Sequence, residues 1–317
     1  LAFPRCLRRE KATRVTGKEH TMITIKTFIN RHAVLSYYVL TFAISWGAVL
    51  GMMGLTGLPT TKAQIEAVLP VAILAMLLGP SASGLLLIAL VDGKVGFHDL
   101  QSRLGRWRVD IRWYAIALLL APLLILAVLM ALSVISPIYL PGVLTREDKI
   151  ARLILGLVSA VVTGICEELG WTGFVTPRLR QHYSILATGL IIGVLWGAWH
   201  LVPMVIMPSI AYAAPFSPAV YITVRTVSFL VGSLVAFRVL MVWVYDRTQS
   251  LLLLILMHIG LTAANIIYEP EALGGISNFI LDFVTAAALW SIVALLFTII
   301  RQPRLRPNMP PANPFFS

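Results

Sequence analysis

Eight apolar runs of about twenty residues fix what this chain folds into. They lie at Ala33 to Leu55, Ala67 to Val91, Trp113 to Ile135, Leu153 to Val175, Ile185 to Met207, Val220 to Val242, Leu251 to Tyr268 and Ile276 to Ile300. A helix needs about 20 apolar residues to cross roughly 30 Å of hydrocarbon. Backbone groups left bare in that layer find no water to bond, and continuous apolar runs lack the alternation of a barrel strand. The fold class expected is therefore all-α: a polytopic membrane helical bundle with about eight transmembrane helices. Composition agrees, because 58% hydrophobic residues and a mean hydropathy of +0.86 exceed what a soluble fold of 317 residues buries.

Lys and Arg gather on one side of such a bundle, the cytoplasmic one. Eight precede the first run, from Arg5 to Arg31, and alternate loops add Lys94, Arg103, Arg106, Arg108, Arg112, Arg178, Arg180, Arg247, Arg301, Arg304 and Arg306. Only Lys62, Arg146, Lys149 and Arg152 fall on the opposite side, with Arg225 and Arg238 inside a span. Both termini are thus expected in the cytoplasm and the protein in the cell membrane. The net charge of +11 reads as topology and lipid-headgroup contact rather than as a nucleic-acid surface. Cys6 and Cys166, at different depths, imply no disulfide framework.

One transmembrane domain is expected over 33–300, its chemistry-bearing core at about 150–268, between a basic tail over 1–32 and a disordered tail over 301–317. Between the second and third spans, Phe97, Leu100, Leu104, Trp107 and Ile111 recur at helical spacing among arginines, which predicts an interfacial helix.

An ionisable side chain at bilayer depth costs at least about 2.5 to 3.5 kcal/mol and needs a reason to be there. Glu167 and Glu168 on the fourth span, His200 on the fifth and His258 on the seventh are the informative ones. Adjacent helical residues point about 100° apart, so the two glutamates have different jobs, Glu167 on the face of Trp171 and Glu168 on the face of Thr172. Trp196 precedes His200 by one turn, and Thr262 and Asn265 share the face of His258. Trp171, Trp196 and Trp199 read as packing, and Asp282 as a lone carboxylate. A glutamate, two histidines and hydroxyl or amide donors suffice for hydrolysis by an activated water, without a covalent nucleophile. The same atoms suit a divalent metal such as zinc, with Glu167, His200 and His258 as ligands. Residue types leave both open.

The string Glu167-Glu168-Leu169-Gly170-Trp171-Thr172-Gly173-Phe174 with Pro177 and Leu179, then Trp196 to Leu201, then His258, resembles the three motifs of the CPBP family. These are the CAAX prenyl endopeptidases and the bacteriocin-processing or self-immunity proteins, also called Abi. The resemblance implies an intramembrane endopeptidase acting on membrane-associated peptides among the membrane lipids. Glu167 would be the base, Glu168 its neighbour, His200 a second water-activating group and His258 an oxyanion donor, with Thr172, Trp196, Thr262 and Asn265 in support. No cofactor is favoured, although older descriptions of the family call its members metalloproteases. Three positions depart from the pattern: Thr172 stands where the family places Arg, Thr262 where it places Asn, and Trp196 where it usually places Phe. These departures motivate the alternative of a catalytically silent peptide-binding or self-immunity protein.

Overall fold

The computed structural model describes residues 27–57, 61–206, 209, 215–271 and 273–299. The disordered C-terminal tail, Cys6 and most of the basic N-terminal tail expected from the sequence lie outside the described residues. The described residues form helices and short connections.

All eight expected spans are helical. They run Ala33–Thr56, Lys62–Leu87, Ile111–Ser133, Lys149–Gly170, Ile185–Leu201, Pro218–Thr248 in three segments, Leu251–Ile267 and Ile276–Ile299. Seven are long and apolar enough to cross a membrane; the 17 residues of Leu251–Ile267 form a shorter apolar helix. At 1.5 Å per residue that helix is about 25 Å long. It packs between the third and fourth spans, where a Cβ on Gly260 would lie 3.4 Å from the Ala117 carbonyl and one on Gly164 would touch Ile259 at 2.9 Å. Such central placement suits the helix that carries His258.

Several spans widen locally to π-helical turns, at Ile88–Asp92, Trp171–Val175, Val202–Ile206 and Thr226–Leu234. Such turns insert an extra residue, re-aim the side chains that follow, and are frequent at functional sites. The second span continues through Ile88–Asp92 into a surface helix, Gly93–Leu104, turning at Gly93, whose φ of +59° suits a residue without a Cβ. A helix forms where an interfacial one was expected, but it stops at Gly105: Trp107 lies in the following irregular stretch, and Ile111 opens the third span behind an Asp110 cap. The capped restart breaks the spacing that joined all five apolar residues.

Two close crossings set the core. A Cβ on Gly84 would lie 3.0 Å from the Cα of Gly170, so the second and fourth spans meet backbone to backbone just beyond the glutamate pair. Gly189, Gly193 and Gly197 recur every four residues on the fifth span and seat Val239, Val235 and Leu230 of the sixth. At Gly193 a Cβ would stand 2.8 Å from the Val235 Cα, which no flexible side chain can relieve. Asp282 is not alone: Arg225 of the sixth span donates to it at 2.5 Å and Ser228 at 3.3 Å.

Replacing Gly193 with Leu should therefore separate the fifth and sixth spans and lower the melting temperature of the purified protein by several degrees. Leu190→Ala, one turn away at an exposed position, should leave stability within about 0.5 kcal/mol of wild type.

Candidate functional site

The two adjacent glutamates sit at the end of the fourth-span α-helix, both nearly inaccessible, 1% for Glu167 and 0% for Glu168. Their different directions give them different partners. Glu168 is fully engaged. Arg238 of the sixth span forks onto it, Nη1 to Oε2 at 2.9 Å and Nη2 to Oε1 at 2.9 Å. His258 Nδ1 meets Oε1 at 2.8 Å, and the Thr172 hydroxyl donates to Oε2. Arg238 is 0% exposed, so this is a dry bidentate ion pair, the geometry in which guanidinium and carboxylate match best.

Glu167 is engaged on one side only. Its Oε2 accepts from the Trp196 indole N–H at 2.6 Å. Its Oε1 faces His200 Nε2 and His258 Nε2, each at 3.9 Å, beyond direct hydrogen bonding.

Hydrogen-bond partners fix how the imidazoles present themselves. His200 Nδ1 lies 2.8 Å from the Trp196 carbonyl, which only accepts, so Nδ1 carries a proton and the neutral ring offers a lone pair at Nε2. His258 Nδ1 donates in the same way to Glu168. Both Nε2 atoms therefore converge on the uncommitted oxygen of Glu167.

Trp196 does more than pack. Besides its bond to Glu167, its ring carries the Arg238 guanidinium 4.2 Å above its centroid and meets the edges of His200 and His258 at 5.3 and 5.4 Å. A phenylalanine would keep the ring contacts and lose the donor. Trp171 and Trp199 enclose the group, in edge contact with each other at 6.0 Å and with Trp199 against His200 at 4.7 Å.

The structure thus brings together Glu167, Glu168, Thr172, Trp196, His200 and His258. Thr262 and Asn265 stay apart: half-buried Thr262 makes no side-chain hydrogen bond among the described residues, and exposed Asn265 donates to the Leu261 carbonyl of its own helix. Sequence reasoning missed Arg238 as a partner. Its signal was visible as an arginine inside a span, but the spacing of motifs does not say which carboxylate it meets. Among the described residues, no three His, Cys, Asp or Glu side chains are grouped so as to hold a metal ion.

These features define a polytopic helical membrane protein with a carboxylate–histidine cluster inside the bundle. Residues 149–264 match the family model described as Type II CAAX prenyl endopeptidase Rce1-like, a little over a third of the chain. That stretch takes in Glu167, Glu168, Trp196, His200, Arg238 and His258, and over it the chain is similar to the CAAX prenyl endopeptidases. A search of curated proteins returns no match.

Truncating Arg238 to Met leaves a buried carboxylate without its cation, a loss of about 3 to 5 kcal/mol. Unfolding of the purified protein should show it, and Glu168→Gln in the same chain should recover part of it. Equal and additive losses from the two substitutions would mean that they do not interact.

Proposed function

We propose that this protein is an intramembrane endopeptidase of the CAAX type, in which Glu167 activates a water for attack on a peptide bond of a membrane-associated substrate. The observation that carries the reading is the asymmetry of the glutamate pair: Glu168 has every oxygen committed, whereas Glu167 Oε1 faces two imidazole nitrogens across 3.9 Å.

That spacing favours a water over a metal. A water about 2.8 Å from both Glu167 Oε1 and one Nε2 subtends about 90°, a comfortable angle for its two partners. Zinc bonds of about 2.0 to 2.1 Å would have to open to roughly 140°, well beyond tetrahedral. Were a metal held, Glu167, His200 and His258 would be its ligands.

The water gives one proton to Glu167 Oε1 and points its second hydrogen at His200 Nε2. Its oxygen bonds to the scissile carbonyl carbon, and the carbonyl π electrons move to oxygen. His258, held through Nδ1 on Glu168, turns its Nε2 edge toward that oxyanion. Collapse of the tetrahedral intermediate breaks the C–N bond, and the proton held by Glu167 passes to the leaving amine. A positioned general base of this kind contributes about 10² to 10⁴ in rate. The Arg238–Glu168 pair does not react; it fixes the tautomer and direction of His258.

Comparing newly formed protein termini in cells that express wild type, Glu167→Ala or His200→Ala at matched levels tests this. Products confined to wild type, and persisting when a zinc chelator is added to the membranes, are expected. Identical termini in all three strains, with folded protein in the membrane, would contradict a peptidase and favour the peptide-binding or self-immunity role. Loss of products on chelation alone would contradict the metal-free reaction.

A further inference from the structure

The widened turn that follows the glutamate pair is held by side chains to an unusual degree. Four consecutive carbonyls each take a side-chain donor. Trp171 O accepts from Thr176 Oγ1 at 2.8 Å, Thr172 O from Arg103 Nη1 at 3.4 Å, Gly173 O from Arg103 Nη2 at 2.8 Å and Phe174 O from Arg178 Nη1 at 2.8 Å. An α-helix that widens to i→i+5 bonding shifts its carbonyls out of register with the amides ahead, and at bilayer depth no water supplies the difference.

Both arginines are tied to one piece of chain. Asp99 grips Arg103 through Nε at 2.9 Å and Nη2 at 2.8 Å, and Asp92 pairs with Arg178, whose guanidinium lies 3.6 Å over the Phe174 ring. Asp92 ends the π turn after the second span, and Asp99 and Arg103 sit on the surface helix Gly93–Leu104. Arg103 counts among the loop cations that the charge pattern assigns to lipid headgroups, yet it is 6% exposed and directed inward, with Tyr245 at 3.5 Å.

We propose that the strap Ile88–Leu104 is a positioning device for the site: through Asp99–Arg103 and Asp92–Arg178 it holds the turn Trp171–Val175 in its widened form. That turn places Trp171 against Trp199 and sets the Thr172 hydroxyl on Glu168. If the turn relaxed to an ordinary α-helix, the residues beyond Gly170 would rotate and both contacts would be lost. The strap is also the part of this network that reaches the surface: Val95 is 78% exposed and the Asp99 side chain 59%. Anything that displaces the strap therefore reaches the site without entering the bundle. Arg103 is a positioning residue whose side-chain hydrogen bonds, among the described residues, go to backbone of the fourth span, Asp99 and Tyr245. Its effect on cleavage rests on the peptidase reading; its effect on the turn does not.

Hydrogen–deuterium exchange of the full chain in lipid nanodiscs tests it, paired with the count of new termini in cells. In Arg103→Met the amides of Trp171 to Thr176 should exchange about tenfold faster or more, while Leu251–Ile267 stays at its wild-type rate and cleavage falls by a similar factor. Arg103→Lys, which reaches one carbonyl rather than two, should fall between, and Asp99→Asn should show a smaller rise in a chain that keeps the arginine. Unchanged exchange in the turn would overturn the proposal. So would an equal rise in every helix, the mark of an ordinary core residue. If wild-type cells show no products beyond those of Glu167→Ala, the peptidase reading fails and the exchange result still decides whether the strap holds the turn.

Discussion

The bidentate pair between Arg238 and Glu168 is the constraint around which this bundle is arranged. Neither side chain has any exposure, and the hydrocarbon around a membrane protein offers no solvent to either charge. The pair is tolerable only because each group satisfies the other, with His258 and Thr172 taking up the remaining acceptor capacity of the carboxylate. The glycine stripe Gly189, Gly193 and Gly197 seats the sixth span directly on the fifth, and from there the long Arg238 side chain reaches Glu168 of the fourth. Arg238 then lies over the face of Trp196, which is bonded to the other glutamate.

From this arrangement follows the division of labour between two neighbours of identical chemistry. One glutamate is neutralised and immobile. The other keeps an oxygen free beside two imidazoles whose tautomers are set by a backbone carbonyl and by the first glutamate. Thr172, the residue that departs most from the family pattern, is not a defect in this scheme. A charged side chain there would compete with Arg238 for Glu168, and the short hydroxyl leaves room for the guanidinium arriving from another helix.

Much of this was legible in the sequence because the bilayer imposes strict rules. Span length is dictated by hydrocarbon thickness, so all eight apolar runs emerged as helices, seven of them long enough to cross, and the cost of burying charge singled out Glu167, Glu168, His200 and His258. What stayed hidden depends on which way helices face one another. Arg238 was plainly expensive, but depth alone does not tell its carboxylate from Asp282, which Arg225 takes instead. Asn265 shares a helical face with His258, yet two turns of rise carry it to an exposed position. Trp196 looked like packing because ring size is legible in a sequence and the direction of an indole N–H is not. Arg103 was read as a headgroup cation by its place in a loop, whereas its target is backbone that accepts side-chain donors only because the helix widens there.

Glu168 structural and Glu167 chemical is a division that separate Glu167→Gln and Glu168→Gln substitutions expose, with melting and peptide cleavage recorded for both. Glu167→Gln should melt like wild type and form no products, and Glu168→Gln should melt several degrees lower because Arg238 loses its counter-charge. A Glu168→Gln protein as stable as wild type, or a Glu167→Gln protein that still cleaves, would contradict it.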